Sequence, residues 1–397
     1  MIFLKKILKK ILKKTVACLL VFLLTVAMIP SAVAQTTGAI AESAAPDLAL
    51  PCASAILMDA ATGQVLYEQN ADQALPPASV TKIMTLLLVM EAIDSGKISL
   101  TDAVTVSAHA ASMGGSQVYL KEGEQMSVEE MLKCVVIASA NDCAVALAEF
   151  VAGSEESFVR AMNERAAALG MSNTHFENTN GLDDTATNHV ISARDIAIMS
   201  RELISHQKIL EYSGIWMDTI RDGSFGLTNT NRLVRFYPGC TGLKTGSTAK
   251  AKFCISATAE RDGLSLICVI MAADTRDIRN AAATKLLDYG FANYSAYSAQ
   301  AGEVAVTVKG GAEPVCQADY KGFGAVVPKG KSERVEKQII VPASLEAPVA
   351  AGEEIGQVMY YLEGREIGSV PILAREEIAR IDFSTLFCRL LSQFLLI

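Results

Sequence analysis

The sequence predicts an α/β (α+β) fold in which short β-hairpins flank a run of helices, followed by a small β region and an amphipathic tail. Three observations predict it. Two pairs of β-rich runs, Ala53–Asp59 with Gly63–Glu68 and Cys254–Glu260 with Leu264–Ile270, are each joined by turn residues. Helical periodicity with start and stop signals fills most of the chain between them. Over residues 299–373 the pattern changes to short alternating runs broken by Gly and Pro, such as Val304–Val308 and Gln338–Pro342, with no helical period.

In chain order, residues 1–34 read as an export segment. Lys5, Lys6, Lys9, Lys10, Lys13 and Lys14 precede an apolar stretch from Val16 to Ile29, and Ala32-Val33-Ala34 offers a cleavage site. The stretch is shorter than the roughly 20 residues of a spanning helix, which favours cleavage over anchoring. Loss of six Lys and no acidic residue takes the formal charge from −8 to −14. So acidic an exported chain lacks the basic footprint of a nucleic-acid binder. Residues 35–50, rich in Ala and carrying Thr36, Thr37 and Ser43, read as a flexible leader, and residues 51–298 as the main domain.

That domain opens with the first hairpin, turning at Thr62-Gly63. Pro76 and Pro77 disfavour helix before Ala78, so a helix starts near Ser79 and stops near Gly96. Ser127 and Glu130 form a capping box opening another helix, interrupted at Ser139-Ala140-Asn141-Asp142 and resumed through Phe150. Further helices are expected over 155–169, from a cap at Ser192 to Leu203, and over 277–289, with a polar loop at 178–183. The chain turns β-like after Asn229, and Asp262-Gly263 is a strong hairpin signal. The tail, residues 374–397, carries Ile378, Ile381, Phe383, Leu386, Phe387, Leu390, Leu391, Phe394 and Leu395 at helical spacing, as an in-plane membrane helix does. Eight cysteines follow the export segment; several sit in apolar runs, and a chain this long can bury a core without staples, so thiols are expected. The four His are scattered and no CxxC occurs, so neither a metal nor a cofactor is expected.

Chemistry is suggested first by Ser79-Val80-Thr81-Lys82. A hydroxyl and an amine one helical turn apart make a serine nucleophile with a lysine base. Burial and the positive end of a helix would lower the lysine pKa and leave the amine partly neutral. The same spacing recurs at Ser205–Lys208 and Ser247–Lys250, so the pattern alone decides nothing. Two further signals occur once each and in order, Ser139-Ala140-Asn141 and Lys244-Thr245-Gly246.

The ordered set, with Gly181-Leu182 and Gly242-Leu243 beside it, resembles the penicillin-binding serine acyltransferases. It is most similar to the low-molecular-mass D-alanyl-D-alanine carboxypeptidases. The resemblance implies a β-lactamase/transpeptidase-like antiparallel sheet sandwiched by helices, with a helical subdomain and a C-terminal β domain. It implies Ser79 as nucleophile, Lys82 as its base and Ser139 as a proton relay. It implies Asn141 as a residue that orients Lys82 and holds the substrate amide, and Lys244 with Thr245 as the carboxylate clamp. Gly246 would let substrate approach the strand, and the Ser79 and Ser247 backbone N–H groups would bind the oxyanion. The implied partners are a peptidoglycan stem peptide, β-lactams as covalent inhibitors, and a membrane surface. Cys240-Thr241 stand where relatives commonly carry an acidic residue. A β-lactamase on the same scaffold and a non-catalytic wall-binding or penicillin-sensing protein are the alternatives; no glutamate lies in a class A deacylation motif.

Overall fold

The structure is a computed structural model that describes residues 48–183 and 186–395. The export segment at 1–34 and the leader up to residue 47 lie outside the described residues.

Strands β1 (Ser54–Asp59) and β2 (Val65–Gln69) form the expected hairpin. The Asp59 carboxylate accepts from the Thr62 N–H, and Gly63 takes the left-handed turn position at φ +77°. Helix α1 (Lys82–Asp94) ends before Gly96, at φ +72°. A short hairpin, β3 (Ala103–Thr105) with β4 (Gln125–Ser127), leads into α2 (Val128–Lys133). The Ser127 hydroxyl caps α2 by accepting from the Glu130 N–H at 3.2 Å. Then come α3 (Asn141–Ala152), α4 (Glu155–Ala168) and α5 (Ala193–Ser205), the last two capped by Ser154 and Ser192.

A hairpin of β5 (Met217–Ile220) and β6 (Phe225–Thr228) precedes the point where β structure was expected. Its Asp222-Gly223 turn is the dipeptide that signals a hairpin, but the flanking runs are short and poorly alternating. Strands β7 (Cys240–Thr248), β8 (Lys252–Arg261) and β9 (Leu264–Ala273) follow, then helix α6 (Arg276–Asn293), longer at its C-terminal end than its periodicity suggested.

The five long strands form one antiparallel sheet in the order β2-β1-β9-β8-β7. Period-two alternation buries both faces. Ile56, Met58, Ile267, Val269 and Met271 face the helical region that includes α1, α3 and α5. Ala55, Leu57, Leu266, Cys268 and Ile270 face Leu286 and Leu287 of α6. At roughly 25 cal/mol per Å² of apolar area, these two layers are the main source of stability. The order leaves β7 at an edge, where its outer side lies open to another segment.

Beyond α6, Tyr294–Ala299 pairs with Phe323–Pro328. A six-stranded sheet has its own core, including Val306, Cys316, Ala318, Val358, Tyr360 and Ile372. Ile378, counted above on the apolar face of the tail, belongs to that core instead: it is buried and its backbone pairs with Val349. The tail helix, α7, covers Phe383–Leu395. The eight cysteines among the described residues are free thiols, as expected.

Candidate active site

Ser79 lies in a 3₁₀ turn, Ala78–Thr81, that runs directly into α1. Two glycines bracket this turn. A Cβ on Gly246 of β7 would lie 2.8 Å from the Pro77 carbonyl oxygen and 2.9 Å from the Ser79 and Val80 nitrogens. A Cβ on Gly181 would lie 1.9 Å from the Ala78 carbonyl oxygen, and its φ of +83° suits glycine. Gly246 was expected to let substrate approach the strand. It pairs in register with Cys254, the bulge lies at Cys240/Gly242, and the close neighbour is the serine turn itself.

Lys82 Nζ lies 2.9 Å from Ser79 Oγ and donates to the Asn180 carbonyl at 2.8 Å. The lysine is wholly buried. Burial, with the charge of Lys244 as the next contribution, drives its pKa well below the ordinary lysine value, against an opposing pull from Asp142. A second pair stands beside it: Lys244 Nζ donates to Ser139 Oγ at 2.8 Å and to the Thr245 carbonyl at 3.0 Å. Burial, aided by the charge of Arg279, pushes Lys244 down to about 7. Both amines thus give up their proton more readily than an exposed lysine does.

Neither of the other Ser-x-x-Lys matches forms such a pair. Lys208 bonds Glu211 at 2.7 Å, and Lys250 bonds the Asp183 carbonyl at 3.1 Å.

Ser139 ends a π-helical turn, Cys134–Ala138, in the left-handed conformation at φ 64°, ψ 30°. A single π turn and a non-glycine αL residue are features that gather at working sites. Ala140, not a polar residue, caps α3, so Asn141 is the first residue of that helix. Its Nδ2 donates to the Gly114 carbonyl at 2.7 Å and its N–H to the Ser116 carbonyl at 2.7 Å, while Oδ1 is buried without a partner among the described residues. Asn141 therefore does not bond Lys82; the Asn180 carbonyl does. Asp142 holds the 118–120 loop by accepting from the Val118 and Leu120 N–H groups. Thr245 Oγ1 donates to Thr230 Oγ1 at 2.8 Å, and Ser247 is the exposed residue after Gly246 on β7.

Asn180, Thr230 and His189 escaped the sequence reading. The polar cluster at 178–183 was legible as a loop, but nothing in it points to a lysine 98 residues earlier. His189 Nδ1 accepts from the Glu177 N–H at 3.0 Å, so Nε2 carries the proton and donates to Thr81 Oγ1 at 2.8 Å. Burial holds this imidazole neutral, with its pKa down to about 4. It braces the serine turn from below.

A buried lysine bonded to a serine, beside a second lysine–serine pair on an edge strand, is the arrangement of a serine acyl-transfer centre. Comparison with known proteins agrees. The family model described as D-alanyl-D-alanine carboxypeptidase matches residues 40–275. This chain belongs to the D-alanyl-D-alanine carboxypeptidase family. The penicillin-binding protein 5 C-terminal domain matches residues 300–380. D-alanyl-D-alanine carboxypeptidase DacF of Bacillus subtilis (strain 168) is 41% identical over 379 residues, covering 94% of this chain and 96% of the relative. Penicillin binding protein 5 from Haemophilus influenzae has a TM-score of 0.75 at 31% identity, over 83% of this chain and 98% of its own. Penicillin-binding protein D2 from Listeria monocytogenes, in its ampicillin-bound form, has a TM-score of 0.57 at 34% identity, over 62% of this chain and 100% of its own.

The fit of Gly246 against the serine turn yields one expectation for this carboxypeptidase relative. Gly246→Ala would press its Cβ against the backbone of the serine turn and shift Ser79, and a displacement on the order of 1 Å costs about 10²-fold in rate. The rate of covalent labelling by a fluorescent penicillin, measured with the folded fraction held equal, should fall accordingly. Labelling at the parental rate would show that the turn yields freely.

Proposed function

We propose that this protein is a serine-type D-alanyl-D-alanine carboxypeptidase that removes the terminal D-alanine from peptidoglycan pentapeptide stems through an acyl-enzyme on Ser79. The observation that carries the reading is the 2.9 Å contact of Ser79 Oγ with a buried amine whose pKa is strongly depressed. Neutral Lys82 has a lone pair for the Ser79 proton. Oγ then attacks the carbonyl carbon between the two terminal D-alanines. The oxyanion faces the Ser79 and Ser247 N–H groups, each such donor being worth about 10²–10³ in rate. As the C–N bond breaks, the proton taken by Lys82 is passed on through the Ser139 hydroxyl to the departing D-alanine amine, and water then hydrolyses the ester.

Lys244 and Thr245 hold the terminal carboxylate in this reading, and the unpartnered Asn141 Oδ1 is free to accept from a substrate amide. Gly246 leaves the edge of β7 open for the peptide to pair with its backbone. A β-lactam would acylate the same serine, in keeping with the ampicillin-bound relative. No observation favours fast β-lactam turnover or a purely binding role.

The export segment read in residues 1–34 supports contact with the wall polymer, and the tail supports a position at the outer face of the cytoplasmic membrane. Phe383, Phe387, Leu390, Leu391 and Phe394 of α7 are exposed. Among the described residues no helix is long and apolar enough to cross a membrane, so α7 would lie in the interface plane.

Three outcomes are expected. Ser79→Ala should abolish both D-alanine release from a pentapeptide and fluorescent-penicillin labelling; labelling that persists would put the nucleophile elsewhere. The Lys244 charge is present below its pKa of about 7 and lost above it. Thus kcat/KM for a carboxylate-ended peptide should decline through about pH 7 on the alkaline side, and a profile flat to higher pH would remove Lys244 from carboxylate binding. Truncation after Ile381, which spares Ile378 in the β core, should release active enzyme from membranes; a truncated protein still sedimenting with vesicles would clear α7 of that role.

A further inference from the structure

Resting on the function proposed above, we infer that Glu155 is a positioning residue for the lysine base, acting through Thr179 and the Asn180 carbonyl. Lys82 is aimed by two acceptors, Ser79 Oγ and the Asn180 carbonyl. The carbonyl sits on a loop, and a loop is normally the more mobile partner in such a contact. Here it is pinned one residue upstream. Every polar group of Thr179 is engaged: its N–H and hydroxyl donate to Glu155 Oε1 at 3.1 and 2.7 Å, and its carbonyl accepts from Thr85 Oγ1 at 2.5 Å. Thr179 is fully buried and Asn180 nearly so.

Thr85 lies on α1 one turn beyond Lys82, so the bond to the Thr179 carbonyl ties the loop to the helix that bears the lysine. Glu155 ties the same residue to the first turn of α4, a separate element. Its other oxygen, Oε2, is held at 2.7 Å by Nε2 of His109, which leaves the carboxylate little freedom to turn away. The carboxylate is only 15% exposed on its side chain. Two walls of the helical region therefore converge on Thr179 and set where the next carbonyl points. Asn178 adds a local brace, with Oδ1 accepting from the Gly181 N–H at 2.7 Å, but that bond lies within the loop and cannot fix it against α1.

Removing the carboxylate leaves a buried N–H and a buried hydroxyl without an acceptor, and the loop must shift to satisfy them. The Asn180 carbonyl moves with it, and Lys82 loses the contact that holds its amine against Ser79. A glutamine at this position keeps an oxygen able to accept both bonds, so shape and acceptor are preserved without the charge.

The test is the rate constant for acylation of the full chain by a fluorescent penicillin, with the final labelled fraction read separately. Glu155→Ala should acylate about tenfold or more slowly while still reaching one label per folded chain, the size expected for a misaimed base. Glu155→Gln should stay within about threefold of the parent. Thr179→Val, which removes one of the two bonds to Glu155, should slow acylation in the same direction by less. A purely structural role would lower the labelled fraction or the melting temperature and leave the rate constant of the labelled fraction unchanged. Acylation of Glu155→Ala or Thr179→Val at the parental rate, or equal slowing by Ala and Gln, overturns the inference. Failure of the parent to label at Ser79 would instead defeat the acyl-enzyme reading.

Discussion

The site depends on the close approach of one short turn to a strand on one side and a loop on the other. The 3₁₀ turn bearing Ser79 is seated against Gly246 of β7 and Gly181 of the 178–183 loop, at distances that admit no side chain on either. Because β7 is bonded to β8 along its length, and the loop to α1 and α4, the turn inherits the rigidity of the sheet and of the helical region together. The hydroxyl is thus fixed relative to both the lysine beneath it and the strand edge beside it. Preorganisation of this kind replaces much of the reorientation that a free serine would need.

Within that frame, electrostatics divide the labour between two lysines. Both are buried, and each bonds a different serine. Burial disfavours the charged form of both amines, and the charge of Lys244 adds to the cost of charging Lys82. Lys82, held well below the ordinary lysine value by its burial, is suited to hold a lone pair for the serine it bonds. Lys244, near 7, is suited to keep a charge for an incoming carboxylate. Their neighbours differ as well: beyond burial, Lys82 feels the charge of Lys244 and an opposing pull from Asp142, whereas Lys244 feels the charge of Arg279.

Much of this was legible in the chain, for physical reasons that differ by element. The long strands and α6 announce themselves through period and through Asp262-Gly263, because two buried faces demand continuous apolar runs. The three motifs were readable because each packs its chemistry into three or four consecutive residues. Illegible were the contacts made by backbone groups: the Asn180 carbonyl on Lys82, the αL twist of Ser139, and the reason Gly246 cannot carry a side chain. A carbonyl is the same at every residue, so only the fold says which one meets an amine. The tail was read one element too early, because Ile378 keeps helical spacing with Ile381 while its backbone pairs with Val349 as an isolated β-bridge. The β5–β6 hairpin was missed although Asp222-Gly223 marks it, since its strands are four residues each.

The unpaired cysteines carry a consequence of their own. Cys134, Cys143, Cys254, Cys268 and Cys316 are buried. Burial raises the thiols of Cys143 and Cys268 well above their ordinary value, and those of Cys52, Cys240 and Cys254 to about 11. A thiol at that level is ionised in about one molecule in 10⁴ at neutral pH, and only the ionised form attacks oxidants or electrophiles. These buried sulfurs behave as small apolar fillers, which leaves the exposed thiol of Cys388 on the tail helix as the one open to oxidants among the described residues.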